Sequence, residues 1–422
     1  MAELGHDVVG VDVDAHKVEL LSNGRAPFFE PELEDLLARN VDAGRLTFTQ
    51  DFSAIEGAQI HFIGVGTPQS ESGAADMTYV DAAVSSMLPH LGYCTSGPEV
   101  VAGKSTVPVG TASRLAQAIE PTGALLVWNP EFLREGFAVQ DTLRPDRMVY
   151  GLPADPGAAT KAQEAMDTVY EQILISGTPR LLMDYATAEL VKISANAFLA
   201  TKISFINAMS QVCDAAGANV TALAEAIGMD DRIGRRFLRA GIGFGGGCLP
   251  KDIRAFQARA DELGVGDALT FLAEVDKVND TMRAGVIRTV RRLLGDRLAG
   301  ATVTVLGAAF KPDSDDMRNS PALDLAVELA HLAKRVVVHD PAAGPILAER
   351  SNRPYEVALS ARSALEGTDL VLIGTEWREY RDLDPAQAAD LVRTRYVIDG
   401  RNCLDAQAWK AAGWSYRGIG RR

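Results

Sequence analysis

The sequence predicts an α/β protein in which two parallel-sheet domains flank a helical middle domain. Three observations predict it. Short β-branched runs alternate with helical stretches over roughly the first 180 residues, residues 186–216 contain neither proline nor glycine, and the strand pattern returns after residue 294. The expected boundaries are 1–180, 181–294 and 295–422, a division that suits a chain of 422 residues, too long for one ordinary core.

The first strand lies within His6-Asp7-Val8-Val9-Gly10-Val11-Asp12-Val13-Asp14, a β-branched run closed by acids, with a helix expected around Lys17 and Leu21. Residues 59–65 form a second strand that enters Gly66-Thr67-Pro68. A third ends near Val101 and leads to Lys104-Ser105-Thr106-Val107-Pro108. A fourth, Leu125-Leu126-Val127-Trp128, ends at Asn129-Pro130-Glu131. Strands that alternate with helices and end in polar or glycine-rich turns place a ligand at the carboxyl ends of a parallel sheet. The proline-free stretch is read as one long helix, with further helices to about Leu294. Val303-Thr304-Val305-Leu306-Gly307, Val336-Val337-Val338, Leu370-Val371-Leu372-Ile373 and Tyr396-Val397-Ile398 then supply the last sheet. Both sheet domains are thus expected to be Rossmann-like, around a helical middle domain with one long helix.

A formal net charge of -14 argues against a protein that coats nucleic-acid phosphates, while leaving room for a local basic pocket. No apolar run is long enough to span a bilayer, and Met1-Ala2-Glu3-Leu4-Gly5 lacks the basic and apolar parts of a signal peptide, so neither a nucleic-acid nor a membrane partner is expected. Cys94, Cys213, Cys248 and Cys403 are too widely spaced for a zinc site and too few for a disulfide scaffold, which points to a reducing cytoplasm and no metal.

The most specific motif is Phe237-Leu238-Arg239-Ala240-Gly241-Ile242-Gly243-Phe244-Gly245-Gly246-Gly247-Cys248-Leu249-Pro250-Lys251-Asp252. Its glycines let main-chain N–H groups approach a ligand, and they set a thiol beside an ammonium and a carboxylate. A lone cysteine in such a turn is usually inert; Lys251 and Asp252 tip Cys248 towards covalent catalysis. On the long helix, Lys192 and Asn196 share a face, with Asn207 nearly on it, and an ammonium beside an amide could stabilise an oxyanion. A snorkelling lysine with a satisfied core amide fits that pattern equally well.

Asp12 stands where an open dinucleotide-binding sheet places the acid that holds the adenosine ribose, which favours NAD, but it could instead cap the next helix. Glu131 and Glu135 follow a strand and could orient a water or a ribose. Lys311, Arg318 and Arg401 stand on turns after strands, where a pyrophosphate could sit; solvated loops explain them too.

In this order the motifs resemble the UDP-glucose/GDP-mannose dehydrogenase family, from Leu4 to the C-terminus. Residues 237–252 carry most of the likeness, with Lys104-Ser105-Thr106-Val107-Pro108-Val109, residues 129–136, and Ala188-Glu189-Leu190-Val191-Lys192 with Asn196. The resemblance implies an NAD-dependent, two-step oxidation of UDP-glucose at C6, with the aldehyde trapped on Cys248 and a thioester hydrolysed to UDP-glucuronate. It implies Cys248 as nucleophile, Lys192 and Asn196 as oxyanion stabilisers, Asp252 in proton transfer, and Thr106 and Glu131 positioning or activating water. For NAD it implies Asp12, Lys17, Gly66, Thr67, Pro68, Ser105, Thr106, Glu135, Lys251 and Arg318. For the UDP-sugar it implies Glu131, Phe132, Leu133, Lys192, Asn196, Arg239, Phe244, Gly245, Phe310, Lys311 and Arg401. Arg232 would reach a neighbouring subunit's substrate, so a homodimer or higher homo-oligomer built on the long helix is implied.

Alternatives stay open: a GDP-mannose or UDP-N-acetylhexosamine 6-dehydrogenase, or a non-catalytic UDP-sugar-binding dimer. The last arises because a G-x-G-x-x-G turn is expected about 20 residues before Asp12, which falls upstream of Met1. The expectation is a start site further upstream, with Met1 to Gly5 as the last turn of the helix after that turn, and a first sheet lacking its central strand. Gly247 stands where the family usually carries serine or another small residue.

Overall fold

The computed structural model describes residues 1–421. The chain forms two compact units, Met1–Ala195 with Arg254–Gly266, and Asn196–Ile253 with the chain from Asp267 onward.

In the first unit, β1 (Val8–Val11) pairs in parallel with β2 (Leu46–Thr49). A separate sheet contains β3 (Ile60–Ile63), β4 (Val100–Gly103), β5 (Leu125–Trp128), β6 (Met148–Leu152) and β7 (Arg180–Asp184), in that order. No ladder joins β1 to β3 among the described residues. The sheet is parallel except at one place: β6 meets β5 antiparallel through Trp128 and Gly151. Strands β2, β6 and β7 escape the sequence reading; β2 (LTFT) alternates apolar with polar residues over a single short stretch, and β7 is exposed along most of its length. Gly5 ends a short 3-10 turn, Ala2–Leu4, at φ 93°, as expected of a helix stop.

The second unit contains a continuous parallel sheet: β8 (Thr302–Leu306), β9 (Arg335–His339), β10 (Glu356–Val357), β11 (Leu370–Ile373), β12 (Tyr396–Asp399) and β13 (Ser415–Gly418). Its order, β10-β9-β8-β11-β12-β13, is that of a doubly wound dinucleotide-type fold. Burial on both faces explains the unbroken apolar runs. Val303, Val305, Leu370 and Leu372 point into one core, while Leu306, Val337, Val371 and Ile373 point into the other.

The long helix is Tyr185–Ala216, 32 residues, which begins in the first unit and continues into the second. Val220–Gly228, Leu249–Glu262 and Thr270–Leu294 complete the helical middle. Among the described residues no helix is long and apolar enough to cross a membrane.

Candidate active site

At the end of β1, the Asp12 carboxylate accepts the Asp14 N–H at 3.0 Å and pairs with Lys17 Nζ at 3.0 Å. Burial alone would raise its pKa, but these two donors outweigh it and hold the carboxyl below its ordinary range. Helix Ala15–Ser22 is capped instead by Asp14, whose side chain accepts from His16 and Lys17. Asp12 is therefore not the cap of that helix.

The turns after β3 and β4 are tied together by hydroxyls. Thr67 Oγ1 donates to the Thr106 carbonyl at 2.8 Å, and Ser105 Oγ to the Val65 carbonyl at 2.7 Å. Thr67 and Ser105 are buried, so their hydroxyls fix the main chain of residues 65–68 and 104–106. Gly66 and Pro68 lie on the same turn, where the Pro68 carbonyl accepts the Asp76 N–H.

After β5, Asn129 is buried, donating to the Val149 carbonyl and accepting from Lys104 Nζ at 3.0 Å and Tyr170 Oη at 2.8 Å. Glu131 pairs with Lys192 Nζ at 3.2 Å and accepts the Leu133 N–H at 2.5 Å. The Phe132 ring lies 3.9 Å from the Arg147 guanidinium carbon and 5.6 Å from Lys192 Nζ. Lys192, with 8% of its side chain exposed, is held by the Glu131 carboxylate and the Phe132 ring face, the pairing that a nearly buried ammonium requires. Leu133 is exposed, and Glu135 is on the same loop.

In the second unit Cys248 is exposed and directly precedes helix Leu249–Glu262, its carbonyl accepting the Asp252 N–H. A negative charge at that position meets the positive end of the helix dipole. Asp252 is buried: one carboxylate oxygen accepts Asn196 Nδ2 at 2.6 Å, and the other pairs with Lys251 Nζ at 2.7 Å. Asn196, one turn after Lys192 on the long helix, is thereby bound to the acid four residues beyond the cysteine. The four cysteines form no disulfide.

Two asparagines that span sequence separations above thirty residues hold the glycine loop. Asn207 accepts the Gly241 N–H at 2.9 Å; Asn279 accepts the Phe244 N–H at 2.7 Å and donates to its carbonyl at 3.1 Å. Gly246 needs to be glycine: its φ is +85°, and a Cβ there would lie 2.8 Å from the Phe310 ring. A Cβ on Gly247 would overlap the Arg318 guanidinium, which lies against the loop while forming a bidentate pair with Asp316 at 2.9 and 2.7 Å. The lack of a side chain on Gly247 leaves the room that Arg318 fills.

Arg401 donates to the carbonyls of Gly374 (2.8 Å), Gly243 (2.8 Å) and Phe310 (3.2 Å), so it knits three turns of this unit together. Gly245 and the buried Phe244 line the same loop, and Lys311 Nζ lies 5.1 Å from the Phe310 ring centre. Arg239 is mostly exposed, 3.8 Å from Glu376. Arg232 projects into solvent with its side chain 89% exposed, braced by Asp230.

The predicted residues divide between the units: the Asp12–Lys17 pair, the Thr67, Ser105 and Thr106 turns and the Glu131–Lys192 pair in the first, and Asn196, Phe244, Cys248, Lys251, Asp252, Arg318 and Arg401 in the second. Sequence reasoning passed over Asn279 and Glu30, and quoted Lys104 and Glu189 within motifs without giving either a role. Only the position of Asn279 on an apolar helix face signalled it.

The chain matches the UDP-glucose/GDP-mannose dehydrogenase family three times: its NAD binding domain over residues 1–174, its central domain over 186–281 and its UDP binding domain over 304–406. The chain belongs to this family. It is 40% identical to the UDP-glucose 6-dehydrogenase TuaD of Bacillus subtilis (strain 168), over all of this chain and 89% of that protein. It is 39% identical to the UDP-glucose 6-dehydrogenase of Rhizobium meliloti (strain 1021), over all of this chain and 95% of that one. Among solved structures, the UDP-glucose dehydrogenase of Pyrobaculum islandicum superimposes with a TM-score of 0.88 at 36% identity, covering this whole chain and 94% of that one.

Proposed function

We propose that this protein oxidises UDP-glucose to UDP-glucuronate in two NAD-dependent steps, with Cys248 as the covalent nucleophile. The observation that carries the reading is an exposed thiol at the head of helix Leu249–Glu262, with a buried Asp252 four residues on bound to both Asn196 and Lys251. The first unit suits NAD: Asp12 keeps an accessible carboxylate at the end of β1, and the turns after β3 and β4 are tied to each other by buried hydroxyls. Bound NAD would take the hydride in each oxidation.

The chain's own residues supply the rest. Cys248 adds to the C6 aldehyde, and Lys192 and Asn196 stabilise the oxyanion that forms. Asp252 moves the proton between the thiol and the sugar oxygen. Once the thioester exists, Glu131 and Thr106 orient the water that hydrolyses it, returning the thiol. Arg401, Phe310, Lys311, Phe244, Gly245 and Arg239 hold the UDP moiety, and Lys251, Glu135 and Arg318 complete the NAD site. The 40% identity to a UDP-glucose 6-dehydrogenase, against 25% to a GDP-mannose dehydrogenase from Pseudomonas aeruginosa, supports UDP-glucose over GDP-mannose. The reading divides the chain into an NAD domain over 1–180, a middle domain over 181–294 and a UDP-sugar domain over 295–422.

Two NADH per UDP-glucose are expected from purified protein, with Cys248→Ser losing at least about 10³-fold in turnover. One NADH per sugar, or an unimpaired serine variant, would overturn the thioester route.

A homodimer completes the proposal. Phe198, Phe205 and Val212 are exposed at seven-residue spacing on the long helix, an apolar stripe that a second copy would cover. Sedimentation should show a dimer that Phe205→Glu weakens by at least about tenfold; a monomer for the parent at micromolar concentration would remove this part.

A further inference from the structure

Two helices of the first unit start without a capping side chain of their own. Thr111–Ile119 begins at Gly110, and Ala138–Leu143 begins at Phe137; neither residue offers its side chain to the first turn. Each helix follows one of the turns that carry proposed catalytic residues, Thr106 before the first and Glu131 before the second. Each is served by a carboxylate from far away in sequence. Glu189 accepts the N–H groups of Gly110 at 2.7 Å and Ala112 at 2.6 Å, and Glu30 accepts those of Gly136 at 2.8 Å and Ala138 at 2.7 Å.

Glu30 is a buried carboxylate whose two side-chain hydrogen bonds are these two N–H groups. It lies on an irregular segment between two phenylalanines and a proline, Phe28-Phe29-Glu30-Pro31, with Phe28 and Phe29 exposed while Glu30 keeps only 8% of its surface. Its own carbonyl accepts the Leu33 N–H, which fixes it at the start of helix Leu33–Asp42. A buried carboxylate with two charge-assisted bonds to main-chain N–H groups is a strong and directional anchor. The anchored segment is short. Glu131 engages Lys192 at one end, the Arg134 guanidinium forms a bidentate pair with Asp141 in the middle, and Gly136 meets Glu30 at the other end.

We infer that Glu30 is a positioning residue for the reaction: by fixing residues 136–138 it keeps the 131–135 turn, and with it Glu131, seated on Lys192. The inference rests on the catalytic reading of Glu131 and Lys192 given above. Glu30 itself touches no reacting atom. Without its carboxylate the far end of the turn is released, Glu131 spends less time on Lys192, and turnover falls although the fold persists. Displacements of about 1 Å at such a turn are worth up to about 10²-fold in rate.

The test compares Glu30→Ala and Glu30→Gln with the parent in the full chain by steady-state kinetics, hydrogen exchange, thermal melting and the rate at which acetic anhydride labels Lys192. Expected for Glu30→Ala are a kcat about tenfold or more below the parent, faster exchange at Gly136 and Ala138, and Lys192 labelled several-fold faster. Glu30→Gln should fall between the two, because its amide oxygen accepts one N–H while its NH2 meets the other; it carries the test if the alanine variant does not fold. A kcat within twofold of the parent despite faster exchange would make Glu30 a helix cap only, and overturn the inference. If the parent itself forms no NADH, the proposed function fails, and the labelling then decides: an unchanged Lys192 rate overturns the positioning role on its own terms.

Discussion

The two units of this protein share one landmark, an acid just after a parallel strand, and treat it oppositely. In the second unit the acid after β9, Asp340, is 2% exposed, and its carboxylate accepts the N–H groups of Ala308, Ala309, Ala342 and Ala343 and the Trp377 indole N–H. Two of those donors belong to the turn after β8, so the N–H groups that would greet a pyrophosphate in such a fold are already occupied by protein. In the first unit the acid after β1, Asp12, is a third exposed on its side chain and is met by local donors, the Asp14 N–H and Lys17 among them. One acid is a structural staple; the other keeps acceptor capacity for a ligand. A strand-end acid therefore does not by itself mark a dinucleotide site, and the difference lies in who satisfies the acid.

Replacing each acid by alanine is the sharpest way to break this comparison. Asp340→Ala strands five donors and should cost about 3–5 kcal/mol in urea unfolding followed by Trp fluorescence. Asp12→Ala removes an exposed pair and should change stability by no more than about 1 kcal/mol, while weakening NAD binding about tenfold in a fluorescence titration. Equal destabilisation by the two would show that Asp12 is also a staple.

How much of this was legible follows from range. Leu370 to Ile373 and Val303 to Leu306 announce buried strands because four or five adjacent residues suffice, and the long helix was visible because nothing interrupts it. β7 was invisible because Leu181 and Leu182 are exposed there, so no burial pattern marks it. Cys248, Lys251 and Asp252 are adjacent in sequence and could be read as a set; the bond from Asp252 to Asn196 spans 56 residues and could not. The Glu30 clamp spans 106 and 108 residues, and a glutamate between Phe29 and Pro31 looks like any surface acid until the fold brings Gly136 to it. Long-range partners of single polar groups are a property of the fold, whereas periodicity belongs to the segment.

A smaller effect sharpens the same comparison between the sheets. The residue that ends β12 in the second unit, Asp399, is a buried charge supplied with donors from Arg401, Cys403 and Leu404 N–H groups and the Tyr416 hydroxyl. The first unit instead places Lys104 after β4, its ammonium between the Phe62 and Tyr170 rings, with Asn129 and Tyr170 as neutral partners. Burial lowers its pKa from 10.5 to about 8, against a smaller opposing pull from Glu131. The unfolded chain then holds this proton up to about pH 10.4 while the folded chain releases it near 8, so folding should gain stability as pH rises between those values and carry the full cost below 8. That cost is at most about 3 kcal/mol, since one pKa unit is about 1.4 kcal/mol and Lys104 keeps some exposed surface. Lys104→Met leaves Asn129 its Tyr170 and Val149 partners, and should raise stability at pH 7.5 by about 1–3 kcal/mol with a much smaller gain at pH 9.5. The window stops there because Tyr170 and Tyr150, whose hydroxyls burial pushes well up, begin to oppose it once the unfolded tyrosines ionise near pH 10. A gain of equal size at both pH values would mean that the Lys104 ammonium does not titrate there, and that the first sheet holds its buried charge as comfortably as the second holds Asp399.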